Sequence, residues 1–538
     1  MYKLLKSRWG IAAFALVLLF ALFLRLYDLD KYSLGYDEAV TVLDERGLDT
    51  LPHFSKLFDG DFLVNNHDYL TLYSHGFVYY WQKLLGKADY PLRLSSVIFS
   101  LLAICLLYIL TREFFGLRTA YLAIFLFAVS PFSIYYAQEL RPYSASSFFT
   151  LLAVYYFLKM LDKGTWKHNS VFAISNVLNV YFNPSAIMVL FSFAVFFAFN
   201  IRKYKAALKR FLATNAAIVF LLSPVFLSIY YNLGFIFKDS AHFAVDADFG
   251  NYPSWCIRMS IKDLLFTFKN FSMGYNVDYF SFLGKSGTLV YALLFILGVF
   301  SLRKKTETRL LLCCLFIPIL SLFLISGIKP CYVDRYFFAI FSFYLIFVAA
   351  GLNKLFNKPV FIFTAAAIIG INLFALKNYY LDYLPSDHRQ HVGVPGRQNI
   401  KGAAEEIANN YKPGDRIMHT CRNTVFPLKF YIRQFTRNDL LIKEVDRGSV
   451  IFVPYFYKDK RVFIYDYARP YPNLVSMLEF KAVSDLGAAD RLWLIFSDWY
   501  FREGDSNKSE IVKIIGKNFR EDNYNKFNGL NLYAFEKY

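Results

Sequence analysis

The sequence predicts an α-helical polytopic membrane protein that carries a small α/β domain outside the membrane. Hydrophobic residues make up 56% of the 538-residue chain and aromatic residues 20%, whereas an ordinary soluble domain is roughly 45 to 50% apolar. The excess, with a mean hydropathy of +0.34, is gathered into uncharged runs close to the roughly 20 residues that a bilayer-spanning helix needs. After about residue 377 the pattern changes to alternating helix and strand signals.

Lys3, Lys6 and Arg8 precede the first apolar run, 9–24. A secretory leader opens in the same way. Here no small-residue cleavage site follows, and the chain continues through Arg25, Leu26 and Tyr27, so the run is read as a retained first span. Further candidate spans lie near 92–111, 119–137, 143–158, 169–183, 185–201, 211–231, 287–302, 310–328, 336–352 and 359–376, about eleven in all. With the N-terminus in the cytoplasm, alternation places 111–118, 159–168, 202–210, 303–309 and 353–358 inside. Each of these loops is short and basic, as in RKYKAALKR and RKKTETR, which is the charge bias that sets orientation. Orientation therefore explains much of the net charge of +18, and nucleic-acid binding is not needed for it. The six cysteines contain no CxxC pair and indicate neither a zinc site nor a disulfide framework. Cys256 and Cys331 share the outer side, which leaves their pairing open.

Three segments of substantial length face outward: about 28–90, about 233–285, and everything after Lys377. In the last, NIKGAAEEIANNY predicts a helix, KPGD a turn, RIMHTC a strand, RLWLIF a buried strand and EIVKIIGKNF an amphipathic helix. The chain is thus expected to divide into a transmembrane domain, 1–376, and an outer α/β domain, 377–538.

Charge at the outer membrane edge falls in three clusters. LGYDEAVTVLDERG, 34–47, places Asp37, Glu38, Asp44 and Glu45 just after the first span. Its structural reading is a helix start, with Asp37 as N-cap and Glu38 complementing the dipole, on an amphipathic helix lying along the interface. AQELRPYS, 137–144, holds Glu139, Arg141 and Tyr143 beside Pro142; an ion pair ending a helix is the structural alternative. KPCYVDRYF, 329–337, holds Lys329, Asp334, Arg335 and Tyr336 between two spans, where snorkelling cations are common. Three such clusters on one side of one membrane carry more weight than any one alone.

These motifs, in their order, resemble the GT-C-type membrane glycosyltransferases. DEA after the first span, NNHDYLTLYSHGFVYYWQKLLG, PLRLSSVIFSLLAICLLYILTREFFG, SPFSIYYAQELRPYS, the RYF of an outer connection and NIKGAAEEIANNYKPGD are similar to the bacterial branch of the protein O-mannosyltransferase group, which includes the lipid A aminoarabinose transferase. The chain departs from that pattern at His67, Asp68, Tyr69 and Leu70, where relatives often carry His-Pro-Pro-Leu.

The resemblance implies a bacterial inner-membrane enzyme, N-terminus cytoplasmic and C-terminal domain outside, that takes a hexose or pentose from a polyprenyl phosphate and transfers it to a hydroxyl of a lipid, glycan or protein acceptor. It implies Asp37 as the base of an inverting single displacement, Glu38 as its positioning or acceptor-binding neighbour, and Glu139 as a second acid at the acceptor. Because phosphate is already a good leaving group, the demand is for a base rather than for a strong general acid. Cations should hold the phosphate: Arg335, with Lys329 and Lys83 or Arg141. Tyr143 and Tyr336 would contact sugar or phosphate, and His67 would line the pocket. Besides the donor and acceptor, membrane lipids are the expected partners, and nucleic acid is not one. The lipid-linked sugar is a substrate rather than a cofactor, and no residue pattern supports a divalent metal. A flippase would carry ionisable residues near the midplane of its spans, which these spans almost lack. A polysaccharide polymerase or ligase would use the same kind of donor.

Overall fold

The structure is a computed structural model that describes residues 8–43, 72–162, 164–238, 257–328, 330–355, 357–394, 396–420, 422–447, 449–450, 463–464, 475–476, 489–497, 515–516 and 519–538. The chain forms two compact units. One comprises Met1–Leu29, Arg46–Asp248 and Ser254–Gly393, and the other Asp30–Glu45, Phe249–Pro253 and Val394–Tyr538.

In the first unit every predicted apolar segment falls on a helix, and the protein is a multi-pass membrane protein. Among the described residues, seven helices have the length and composition to cross a bilayer: Trp9–Leu26, Asp89–Phe115, Tyr143–Asp162, Phe282–Leu302, Thr306–Ile328, Asp334–Asn353 and Lys358–Tyr380. Two bent pairs are long and apolar enough only when taken together, Leu117–Val129 with Pro131–Ala137 at 62° and Lys205–Leu221 with Ser223–Tyr231 at 54°. The other two segments lie on the shorter helices Trp166–Phe182 and Pro184–Phe199. A 17-residue helix rises about 25 Å, less than the roughly 30 Å hydrocarbon core.

The predicted basic loops gather at one end of this unit. Lys159 pairs with Glu113, Lys305 donates to Phe114 O, and Lys203 Nζ donates to Thr306 Oγ1 at 2.7 Å. The most enclosed span is Asp334–Asn353, 89% of whose apolar window is buried. Helix association in lipid relies on close packing rather than on the hydrophobic effect, and two glycines supply it here. A Cβ on Gly298 would lie 1.8 Å from Phe347 O, and one on Gly351 would lie 1.9 Å from Leu294 O. The helices Phe282–Leu302 and Phe338–Asn353 therefore touch backbone to backbone.

In the second unit, five strands form one mixed sheet in the order β2-β1-β5-β7-β6. They are β1 (Arg416–His419), β2 (Ser449–Val450), β5 (Arg491–Ser497), β6 (Phe519–Phe527) and β7 (Leu530–Lys537), while β3 (Phe463–Ile464) and β4 (Val475–Ser476) form a separate pair. β1 runs parallel to β2 and β5, and the β6–β7 hairpin adds antiparallel to β5. NIKGAAEEIANNY gives the helix Ile400–Asn410, with Asn399 Oδ1 accepting from Gly402 N at 3.0 Å. RLWLIF lies in β5, which is buried throughout. Most of EIVKIIGKNF lies outside the described residues. The KPGD turn anchors the strand that follows: Asp415 accepts from Lys412 N at 2.9 Å, from Trp493 Nε1 at 2.8 Å and from Arg491 Nη2 at 2.7 Å.

The glycine contact is directly testable. Gly351→Ala should force the two helices apart and lower stability by about 1 to 3 kcal/mol, the usual cost of overpacking, seen as a lower unfolding midpoint in detergent. Gly370→Ala, where a Cβ meets nothing within 4 Å, should leave the midpoint unchanged or raise it.

Candidate active site

The DEA segment belongs to the second unit. Its helix, Tyr36–Leu43, starts two residues earlier than the reading with Asp37 as N-cap expects. Gly35 O accepts the first helical bond, from Ala39 N at 2.9 Å, so Gly35 is the N-cap, and Glu38 Oε2 reaches back to accept from Gly35 N at 2.8 Å. That is the Glu half of a capping box. End-capping is thus carried out by Glu38, which is buried, while Asp37 sits in the first turn, half-buried.

The segment is fastened to the rest of the second unit at several points. Tyr431 Oη accepts from Leu34 N at 2.7 Å, Ser33 Oγ accepts from Lys401 N at 2.9 Å, the Arg397 guanidinium lies 4.2 Å from the Tyr32 ring centre, and Tyr36 meets Phe426 edge-on at 5.3 Å. Leu34, Ala39 and Val42 are buried.

The other two charged clusters lie in the first unit, and a buried cation organises one of them. Arg25, at the C-terminal end of the first span, is completely buried. All five of its N–H groups donate: Nε to Ser100 Oγ at 2.8 Å, Nη1 to Ala21 O and Ala128 O at 3.1 Å, and Nη2 to Phe127 O at 3.3 Å and Ser133 Oγ at 2.8 Å. Phe127 and Ala128 are in the last turn of Leu117–Val129, just before the 62° bend. A cation there satisfies carbonyls that the helix leaves over. Beyond the bend, Ser130 Oγ caps the helix Pro131–Ala137 by accepting from Ser133 N. The far end of that helix is held by Gln138, whose Nε2 donates to Arg25 O at 3.0 Å and Tyr27 O at 2.8 Å, and whose Oε1 accepts from Tyr379 Oη at 2.5 Å. Glu139 is the next residue.

Arg141 N donates to Glu139 O at 2.8 Å, its guanidinium lies 5.9 Å from the Tyr143 ring centre, and its carbonyl accepts from Ser96 Oγ at 3.4 Å. Glu139 and Arg141 are half-buried and Tyr143 is buried.

Arg335 and Tyr336, both half-buried, stand on the 3-10 turn Asp334–Phe337. Beneath them Asp334 is buried and accepts from Thr267 Oγ1 at 2.9 Å and, at shorter range, from Asn270 Nδ2 and Tyr332 Oη. The structure brings this turn to the Glu139 cluster through aromatic rings. Phe338 lies 4.7 Å from Tyr136 and 5.6 Å from Phe132, Tyr136 Oη is 2.6 Å from Tyr275 Oη, and Tyr136 lies 5.1 Å from Tyr143. Lys83 is exposed at the end of Leu72–Leu85, with Nζ 4.3 Å from the Tyr79 ring centre. His67, Lys329 and Cys256 lie outside the described residues. Among the described residues, no group of three His, Cys, Asp or Glu side chains is arranged to hold a metal ion.

Residues 77–229 match the model of the family described as dolichyl-phosphate-mannose-protein mannosyltransferase. No curated protein matches the chain at a significant level. Among solved structures, ArnT from Cupriavidus metallidurans bound to undecaprenyl phosphate is similar at 12% identity, with 98% of each chain covered and a TM-score of 0.55. The Archaeoglobus fulgidus oligosaccharyltransferase tethered with an acceptor peptide is similar at 13% identity, over 99% of this chain and 74% of that one, with a TM-score of 0.51. The chain has the fold of the GT-C-type membrane glycosyltransferases and resembles the protein O-mannosyltransferase group, as its motifs imply.

Arg25→Lys keeps the charge but supplies only three donors in place of five. It should leave the bend unevenly held and lower turnover on the order of 10- to 100-fold, the effect of a small misplacement of reacting groups. Ser133→Ala removes one of the five partners and should do much less. The check is transfer activity of the two purified variants side by side.

Proposed function

We propose that the protein transfers a sugar from a polyprenyl-phosphate donor to an acceptor hydroxyl at the outer face of a bacterial inner membrane, by an inverting single displacement. The likeness to a fold crystallised with undecaprenyl phosphate and the mannosyltransferase match support a lipid-phosphate donor. The observation that carries the assignment of the base is local. Glu38 makes the bond that starts the helix, and Asp37 stands half-buried in the first turn beside it. Asp37 takes the acceptor's proton, Glu38 keeps it in place, and Glu139 orients the acceptor.

Arg335 and Arg141 hold the donor phosphate, with Lys329 and Lys83 as further cations, while Tyr143, Tyr336 and His67 line the sugar path. Membrane body 1–376 and outer domain 377–538 divide this work, with the N-terminus cytoplasmic. The sugar is a hexose or pentose, and the acceptor a lipid, glycan or protein of the envelope.

Asp37→Asn preserves size and removes the base, so turnover should fall by a factor on the order of 100 to 10,000 in stable, inserted protein. Glu38→Gln, which keeps an acceptor for Gly35 N, should retain the fold. Arg335→Ala should raise the apparent Michaelis constant for the donor by the equivalent of about 1.5 to 3 kcal/mol, the range for a hydrogen bond to a charged group. Steady-state transfer from a defined lipid-linked sugar checks all three. Wild-type turnover in Asp37→Asn would remove Asp37 from the mechanism.

A further inference from the structure

The helix Ile261–Met273 in the second outer segment contributes a polar network that the transfer chemistry does not use. Ser260 and Asp263 form a capping box at its start. Asp263 also accepts from Arg389 Nε and Nη2, both at 3.2 Å. One and two turns on, Thr267 and Asn270 bind the Asp334 carboxylate, and Asn270 Nδ2 also donates to Gln390 O at 2.9 Å. Between them lies Lys269, an ammonium with no exposed surface. Its hydrogen bond is to Gly274 O at 3.3 Å, and Asp334, Asp278 and Asp387 act on it electrostatically.

Lys269 thus stands between the two halves of the candidate site. On one side is the carboxylate next to Arg335. On the other is Gly274, held at φ +71°, where a Cβ would come within 2.8 Å of Pro131 Cβ and 3.2 Å of Phe132 N, at the start of the helix that leads to Glu139.

We propose that Lys269 is a positioning residue for donor binding: its protonated form balances the buried Asp334 beneath Arg335, and loss of that proton weakens the site for the donor's phosphate. The inference rests on the donor-site assignment given above. When Lys269 is neutral, Asp334 keeps three neutral hydrogen-bond donors but loses the cation beside it. One negative charge then remains uncompensated next to Arg335, in a setting where water screens little. Burial holds the Lys269 ammonium down to about 7 against the pull of Asp334, Asp278 and Asp387, so the proton is present below neutral pH and lost above it. The affinity for a phosphate should follow the same direction, high below and low above.

The other ionisable groups packed nearby are Tyr275, Tyr332, Asp263 with Arg389, and His391, whose Nε2 lies 3.1 Å from Pro385 O. Of these, His is the type that ordinarily titrates near neutrality, and the test has to separate it from Lys269.

The probe is a polyprenyl methyl phosphate, a diester that lacks the second ionisation near pH 6 of a phosphate monoester, bound to the full-length protein in lipid nanodiscs across neutral pH. The dissociation constant of the wild type should rise on the order of tenfold as pH passes neutrality, the scale of one charge about 10 Å away at an effective dielectric of about 20. Lys269→Arg stays charged and should keep the tight value throughout, and Lys269→Met should show the weak value throughout. A flat wild-type profile overturns the proposal, and so does an inflection that survives in Lys269→Arg, which would belong to another group. These two proteins decide the matter even when Lys269→Met does not fold. No binding at any pH would overturn the donor-site assignment itself, and this inference with it.

Discussion

One end of the membrane unit depends on one guanidinium. A helix bent by 62° inside a bilayer exposes carbonyls on one side of the break and amides on the other, and no water is present to satisfy them. Arg25 takes two of those carbonyls and the hydroxyl of Ser133 across the break, and adds Ser100 from a neighbouring span. Its charge is spread over a planar group whose five donors all have neutral oxygen acceptors. The backbone carbonyl of the same residue, through Gln138, ties down the other end of the short helix. Glu139 and Arg141 follow directly, so their placement depends on a residue more than a hundred positions earlier in the chain.

Around this polar centre the membrane unit is held by shape. Tyr136, Phe132, Phe338, Phe341 and Tyr275 pack as one aromatic layer, and the glycine contact between Phe282–Leu302 and Phe338–Asn353 lets the backbones touch. Rigid rings and a close helix pair leave the turn at Asp334–Phe337 little room to shift. The buried acid of that turn is fixed by the Ile261–Met273 helix, so the second outer segment contributes support as well as surface.

Much of this was legible in the sequence, and the parts that were not have physical causes. Apolar runs and basic loops mark helices and their order because a bilayer constrains composition strongly, and every predicted segment is helical. Whether a run crosses depends on length, which Trp166–Phe182 falls short of, and on bends, which Ser130–Pro131 introduces. The three charged clusters are visible in residue type and position, but their chemistry divides in ways that residue type does not reveal. Glu38 closes the start of its helix, because the chain enters through Gly35, two residues earlier than the capping pattern suggests. Asp334 reads as one more charge beside Arg335, yet it faces inward, since its partners Thr267 and Asn270 come from a segment more than sixty residues away. Arg25 read only as the end of an apolar run. An arginine within such a run is itself a signal, although its five partners come from several helices and no local pattern names them.

The grouping of Asp30–Glu45 with Val394–Tyr538 has a consequence for how the protein is made. An eight-residue helix has almost no stability alone, and the partners that hold this one, Lys401, Phe426 and Tyr431, leave the ribosome long after Asp37 does. The membrane body can be inserted span by span while the segment bearing Asp37 waits for the last quarter of the chain. Translation order therefore separates insertion of the spans from the folding of this segment: a chain broken off before residue 394 retains its spans, its basic loops and Arg25, and lacks the residues that hold the Asp37 helix.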